Sequence, residues 1–304
     1  MSPDHSQTRL NLSAGLLSVT VALVLVVAKL WALSVTGSLS IAATLADSGL
    51  DLLMSLGGLA AIAYAAKPAD EDHAFGHSSA EDLAALGQSV FITISALVIA
   101  GAALQRLVSD TTVELTSEGA GMVVIIFSIV ITIALVLWQR RVARLTGNRV
   151  VAADSLHYVG DLIPNAGALL ALWASARFGL GQIDSVVALI AAAIMALGAW
   201  RIGRGAWDAL MDRRADPELI AGISAIAADF PGVMGHHDLK TRVAGSRVFV
   251  NLHIELDGRQ TLDEAHSVGA ALRRAIIAQY PRADVLIHKD PVGVQRHPED
   301  PRAS

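Results

Sequence analysis

Six long apolar stretches occupy the first two thirds of this 304-residue chain. Each is close to the roughly 20 apolar residues that cross a bilayer as a helix. The stretches are 12–33, 39–66, 83–105, 119–139, 150–176 and 185–200. The chain is 53% hydrophobic and 17% charged, whereas a soluble domain carries about 25% charged residues. We therefore predict a six-helix membrane protein, which excludes an ordinary soluble enzyme and a disordered chain.

The C-terminal third has a different composition, because nearly half of the charged residues lie after residue 210. Asp216-Pro217 is typical of a helix start, and Thr261 with Glu264 forms a capping-box pattern. We predict helices to about Phe230 and from Thr261 to about Tyr280. The strands are predicted at 237–243, 247–256 and 284–288. This order indicates a small α+β domain after the membrane helices.

Domain boundaries and orientation follow from the positions of the stretches and the charges. We expect an N-terminal tail at 1–11, a membrane domain at 12–209, a soluble domain at 210–292 and a disordered tail at 293–304. The N-terminus resembles no cleavable signal peptide. Arginines concentrate between stretches four and five and after stretch six, which predicts that both termini are cytoplasmic.

Composition also limits the chemistry. The chain has no cysteine, so disulfides, thiolate catalysis and cysteine-ligated metals are excluded. Its net charge is −5, without a long basic run, so nucleic acid is not an expected partner. Any transition-metal site must be built from His, Asp and Glu.

Two pairs of metal-ligating residues lie inside apolar stretches. Asp47 and Asp51 share one helix face at i, i+4 spacing, and so do His157 and Asp161. A carboxylate at bilayer depth costs about 2.5 kcal/mol or more, and no lysine or arginine is predicted at the same depth. A divalent cation would neutralise the carboxylates. One nitrogen and three oxygen donors predict a tetrahedral site for a borderline metal.

Simpler explanations exist for each residue taken alone. Asp47 could lie near the non-cytoplasmic end of its helix, in contact with water. A single membrane Asp often makes a hydrogen bond between helices. Asp154 is predicted at the cytoplasmic interface. Two matched pairs on different helices nevertheless favour a transported ion.

Several longer motifs are spread along the chain. They are Thr36-Gly-Ser-Leu-Ser, Asp47-xxx-Asp51, Pro68-Ala-Asp-Glu-Asp-His73-Ala-Phe-Gly-His77, Ala153-Asp-Ser-Leu-His157-xxx-Asp161, Gly235-His-His-Asp-Leu and Leu286-Ile-His-Lys-Asp-Pro. Together these motifs resemble the cation diffusion facilitator family, in its bacterial zinc and ferrous-iron efflux branch. The resemblance covers about residues 10–292.

The resemblance implies three metal sites and a homodimer in the bacterial inner membrane. The transport site would comprise Asp47, Asp51, His157 and Asp161, where the histidine is associated with zinc and cadmium. A loop site, which varies across the family and could instead be a solvated polar loop, would comprise Asp70, His73 and His77. A binuclear zinc site at the cytoplasmic dimer interface would comprise His237, His253, His266, His288 and Asp290. His236 and His297 match no family ligand and are expected at the surface.

One position departs from the pattern. Close relatives carry a lysine that forms a salt bridge with an aspartate just after helix six. Asp212 matches the aspartate, but Ser79 occupies the lysine position. The resemblance therefore leaves the packing of the dimer near the membrane open.

The predicted activity is export of Zn²⁺ in exchange for H⁺, with zinc also bound in the soluble domain and no organic cofactor. Fe²⁺, Cd²⁺ or Co²⁺ could instead be the main substrate. A non-transporting membrane sensor and a passive channel are further alternatives. A metalloprotease is disfavoured, because the chain lacks a His-Glu-x-x-His motif.

Overall fold

The computed structural model describes residues 3–36, 39–109, 119–162 and 183–293. The chain divides into two compact units, one spanning Ser6–Trp207 and the other formed mainly from Asp208 onward. The predicted disordered tail lies almost wholly outside the described residues.

The first unit is helical. Its helices are α1 Pro3–Thr36, α2 Leu39–Ala65, α3 Ser79–Ser109, α4 Gly119–Thr146, α5 at 149–162 and α6 Ile183–Leu210. Among the described residues, five of these helices are long and apolar enough to cross a membrane. The predicted fifth stretch, 150–176, continues past the described part of α5. The predicted membrane α-helical class is confirmed.

Small residues allow the membrane helices to approach one another closely. A Cβ atom added at Gly198 of α6 would lie 2.6 Å from a methyl group of Leu156 on α5. Glycine at such positions is common where membrane helices pack, because the backbones can then come into contact. This packing fixes α5, the helix that carries His157.

Asp154 is not at an interface with water, in contrast to the sequence-based expectation. Its side chain is buried and accepts hydrogen bonds from Ser18 Oγ at 2.5 Å and Gln139 Nε2 at 2.6 Å. Asp154 precedes His157 by three residues, so both side chains point to the same side of α5. Asp154 contacts α1 and α4, whereas His157 contacts α2 and α3.

The second unit is a three-stranded sheet with two helices. Its elements are α7 Pro217–Ala228, β1 Gly235–Ala244, β2 Arg247–Leu256, α8 Leu262–Gln279 and β3 Ala283–Pro291. The central strand β2 pairs antiparallel with β1 and parallel with β3. These elements confirm the predicted α+β fold.

Alternation along β2 separates the core from the functional face. Val250, Leu252 and Ile254 are fully buried and pack with Ile223 of α7 and Leu272 of α8. The intervening side chains point to the opposite face of the sheet. That face carries His237, His253 and His288.

Both helix starts have the predicted caps. The Asp216 carboxylate accepts a hydrogen bond from the backbone N–H of Glu218, with Pro217 in the first turn of α7. Thr261 and Glu264 form a complete capping box at the start of α8. The helix positions therefore follow from local chemistry as well as from core packing.

Candidate metal centres

Three predicted ligands meet between α2 and α5; we call Asp51, His157 and Asp161 the membrane cluster. His157 Nε2 lies 3.0 Å from Asp51 Oδ1 and 4.0 Å from Asp161 Oδ2. One donor atom from each residue lies within 4.8 Å of the others. One imidazole and two carboxylates at these distances could bind a single divalent cation after a small adjustment of rotamers.

The surroundings of the membrane cluster orient its histidine. The His157 side chain is 8% exposed, and its ring packs edge-on against Phe91, with 5.9 Å between ring centroids. Asp51 is 14% exposed and Asp161 is 41% exposed. The cluster is therefore buried at the histidine, whereas the Asp161 side chain is partly exposed.

Asp47 is not part of this grouping. It lies one turn before Asp51 on α2, and its side chain is exposed. A straight helix carries both residues on one face, but the described contacts at the cluster are made by Asp51. The fourth position of the transport site therefore stays a prediction.

A lysine lies near the membrane cluster, contrary to the sequence-based expectation. Lys29 of α1 and Ser48 of α2 line the same cavity as Asp51 and Asp161. The expectation was wrong because Lys29 lies near the end of the first apolar stretch but its side chain reaches across to Ser48 of α2.

The loop between α2 and α3 holds a second group, Asp70, His73 and His77, which we call the loop cluster. His73 Nδ1 lies 3.2 Å from Asp70 Oδ1, and His77 Nε2 lies 3.3 Å from Asp70 Oδ2. The backbone N–H of His73 donates to Asp70 and holds the pKa of that carboxyl below its ordinary value. The carboxylate is therefore ionised at neutral pH and can act as a ligand.

The tautomer of His77 follows from its surroundings. Its Nδ1 lies 3.2 Å from the carbonyl oxygen of Pro68, which can only accept a hydrogen bond. Nδ1 therefore carries a hydrogen, and Nε2 of the neutral ring faces Asp70 with its lone pair. Two such acceptors 3.3 Å apart repel unless a proton or a metal lies between them.

A third group, the tail cluster, comprises His237, His253 and Asp290 on the exposed face of the sheet. His253 Nδ1 lies 3.0 Å from Asp290 Oδ2, and His237 Nε2 lies 3.6 Å from the same oxygen. Strand register produces this arrangement, since His237 pairs with His253 and His253 pairs with His288. His288 Nε2 lies 3.1 Å from the other oxygen of Asp290, so it adjoins the cluster.

His266 was predicted as a ligand of the cytoplasmic site, whereas Glu255 was not. His266 is exposed on α8, and among the described residues of one protomer it belongs to no metal-type cluster. Glu255 was not predicted, yet its Oε1 lies 3.8 Å from His237 Nε2. Its position two residues after His253, on the same face of β2, was the available signal.

The two histidines that were expected at the surface, His236 and His297, differ from each other. His236 was expected at the surface but is half-buried, with its Nε2 2.7 Å from Ser224 Oγ of α7. The side chain points to the helix-covered face because it alternates with His237. His297 lies outside the described residues.

Asp212 and Ser79 occupy the two positions at which close relatives carry the aspartate and the lysine of a salt bridge. Asp212 accepts a hydrogen bond from Arg242 at 3.1 Å, and both belong to the second unit. Ser79 is the first residue of α3. An arginine of the same chain therefore contacts the aspartate that resembles the family's interlock residue.

The fold and the clusters together define a class of protein. Apolar helices with a buried imidazole–carboxylate group, joined to a soluble α+β domain with metal-type donors, are the features of a membrane cation transporter. Residues 15–211 match the model of the cation efflux transmembrane domain, and residues 215–292 match that of the cytoplasmic domain of cation efflux proteins.

Curated relatives agree over nearly the whole chain. The cation-efflux pump FieF of Shewanella oneidensis is 43% identical over 278 residues, which cover 91% of this chain and 93% of that protein. FieF of Escherichia coli O127:H6 is 40% identical over 291 residues, which cover 96% of each chain. The chain therefore belongs to the cation diffusion facilitator family and is a multi-pass metal-cation efflux transporter.

Solved structures of shorter chains are also similar. CzrB in its Zn form is 32% identical, covering 29% of this chain and 100% of that one, with a TM-score of 0.27. The metal-bound C-terminal domain of the CzcD transporter from Thermotoga maritima is 28% identical, covering 26% and 93%, with a TM-score of 0.25.

Proposed function

We propose that this protein exports Zn²⁺ from the cytoplasm in exchange for H⁺. The observation that carries the proposal is the membrane cluster, in which donor atoms from α2 and α5 converge within 4.8 Å. Asp47 would supply a fourth donor from the turn before Asp51. The relatives' name, cation-efflux pump, supports the direction of transport.

The donor set favours a borderline metal. Imidazole is a good ligand for Zn²⁺, while carboxylates and water suit harder ions such as Mn²⁺ and Mg²⁺. A single histidine among carboxylates therefore selects against hard ions. Fe²⁺, Cd²⁺ and Co²⁺ accept the same donors, so direct competition must rank them.

Proton exchange follows from the chemistry of the donors. Imidazole and carboxylate bind a metal only when they are deprotonated, so metal binding releases protons. An unperturbed imidazole titrates at about pH 6.5, near the pH on either side of a bacterial inner membrane. When the site faces outward, protons compete for His157 and the carboxylates, and the metal leaves. The inward proton gradient then drives efflux.

The other two clusters have supporting roles in this proposal. The tail cluster with His288 would bind Zn²⁺ and help to join two protomers, with His266 contributing at the dimer interface. The loop cluster would bind metal more weakly, because Asp70 and His73 are exposed. Both termini would lie in the cytoplasm, with a membrane domain at 12–209 and a metal-binding domain at 210–292.

Flux in proteoliposomes tests the proposal. Zinc uptake and internal pH are followed together in wild type and Asp51→Ala, with Asp284→Ala, an exposed carboxylate on β3, as the control. Zinc movement with opposite proton movement is expected in wild type and in the control, and neither in Asp51→Ala. Binding without flux would indicate a sensor, and flux without protons would indicate a channel. Equal competition by Fe²⁺, Cd²⁺ or Co²⁺ would contradict the zinc assignment.

A further inference from the structure

Lys29 brings a positive charge to the edge of the membrane cluster. Its Nζ donates a hydrogen bond to the buried Ser48 Oγ of α2 at 2.6 Å. Ser48 lies on α2 between the two predicted aspartate ligands. The ammonium of α1 is therefore held against the helix that carries Asp51.

The lysine also shares a cavity with two ligands. Lys29, Ser48, Asp51 and Asp161 line it together, and Tyr158 also lines it. A positive charge on Lys29 therefore shares one cavity with the carboxylates of Asp51 and Asp161.

An ammonium held beside the membrane cluster should weaken metal binding. Without a metal, it offsets part of the repulsion between the carboxylates, which is costly at low dielectric. With a divalent cation bound, it adds repulsion between two positive charges. Both effects favour the metal-free cluster, so the lysine weakens metal binding.

We propose that Lys29 is an internal counter-cation that keeps the affinity of the transport site moderate and so speeds metal release. It is a positioning residue and does not ligate the metal. A transporter must release what it binds, and an ammonium already held by Ser48 can compensate Asp51 and Asp161 as the ion leaves. This inference rests on the proposed function, because it takes the membrane cluster as the transport site.

Zinc affinity in lipid nanodiscs tests the inference. Full-length wild type, Lys29→Met, Lys29→Arg and Ser48→Ala are titrated with Zn²⁺ against a competing chromophoric chelator. Each protein is compared with its Asp51→Ala counterpart, so that the difference isolates the membrane cluster from the loop and tail clusters. Lys29→Gln provides a second neutral variant in case the methionine variant fails to fold.

Lys29→Met and Lys29→Gln should bind zinc at least about tenfold more tightly than wild type, because a nearby positive charge has been removed. Lys29→Arg keeps the charge and should stay within about threefold, as should Ser48→Ala, which removes only the hydrogen bond. In flux assays the neutral variants should show a lower half-saturating zinc concentration together with a lower maximal rate.

Three results would overturn the inference. Unchanged or weaker binding in both neutral variants would show that the charge does not oppose the metal. Tighter binding in Lys29→Arg equal to that in Lys29→Met would assign the effect to shape, and an equal effect of Ser48→Ala would assign it to the hydrogen bond. If Asp51→Ala removes no zinc site from wild type, the proposed function itself fails, which is a separate outcome.

Discussion

The membrane cluster and the tail cluster contain the same two donor types, imidazole and carboxylate, but hold them by different means. In the membrane cluster, one donor comes from α2 and two come from α5, so their distances depend on how two helices pack. In the tail cluster, neighbouring strands hold the donors through a hydrogen-bonded ladder. Helices that slide or tilt can open the first cluster, whereas the second can change only if the sheet changes. The difference supports the proposal that the helices carry transport and that the sheet has a structural or regulatory role.

The strongest way to break this comparison is to remove one carboxylate from each cluster. Asp51→Ala should reduce zinc flux by at least about 100-fold, because loss of even an indirect partner of a metal ligand costs 10–100-fold. Asp290→Ala should leave most of the zinc flux intact and remove zinc from the tail cluster. Initial flux rates and zinc stoichiometry in the same preparations check both expectations. Equal flux losses in the two variants would contradict the division of roles.

A smaller effect is expected on metal preference. His157→Asp replaces the only nitrogen donor of the membrane cluster with a hard oxygen donor and should shift the ratio of Zn²⁺ to Mn²⁺ flux by about tenfold toward Mn²⁺. His253→Asp makes the same change in the tail and should leave that ratio unaltered. Parallel flux assays with the two metals measure it. An unchanged ratio in His157→Asp would remove the selectivity argument.

A separate experiment tests whether metal bound at the tail cluster joins two protomers. His253→Ala removes the imidazole nearest to Asp290 and should weaken zinc binding to the tail by about tenfold or more. The dimer should weaken with it if the metal joins the protomers. His236→Ala, which removes an imidazole that bonds Ser224 instead, is the matched control. Dimer dissociation by light scattering at several protein concentrations, with and without zinc, gives the result; a dissociation constant unaffected by His253→Ala would end the idea.

The smallest expected effect is on the stability of the second unit and not on metal transport or metal binding. Thr261→Ala removes the cap of α8 and should lower the free energy of unfolding of this unit by about 1 kcal/mol, while Thr261→Ser should retain most of it. Denaturant melts followed by circular dichroism of full-length protein in detergent measure the change. Neither variant should alter the zinc flux.

The same cap has a defined pH dependence. The Thr261 backbone N–H, and then its hydroxyl, hydrogen-bond to Glu264 and hold the pKa of this carboxyl below its ordinary value of 4.5. A lowered pKa in the folded state means that the stabilisation is complete above the unfolded-state pKa and is lost as the pH falls through the folded-state pKa. Glu264→Gln should therefore destabilise the second unit at neutral pH and should change its stability little in strong acid.

The fold of the second unit could be predicted from the sequence because its signals are local. Alternation along β2 separated Val250, Leu252 and Ile254 from His253, and the two capping patterns fixed the helix starts. The strand register was not accessible. Pairing of β2 with β3 depends on long-range packing, and it is this pairing that brings Asp290 beside His253.

The membrane cluster shows the same limit. Spacing within one helix predicted that Asp47 acts with Asp51 and His157 with Asp161, and the described contacts bring Asp51, His157 and Asp161 together. Lys29 was missed because periodicity places a residue on its own helix but does not say which neighbouring helix a long side chain reaches. The burial of Asp154 was missed for a related reason, since it depends on how α1 and α4 pack around this residue.

The mixed pairing of the sheet has a consequence for assembly of the protein. His237, His253 and His288 stand side by side only in the native register of β1, β2 and β3. A slip of one residue in β3 would turn His288 and Asp290 toward the helices and bring Ile287 and Lys289 to the open face. A misregistered sheet could not present the same donors. Occupancy by metal would thus discriminate correctly assembled molecules from misassembled ones and act as a quality check on the newly made chain.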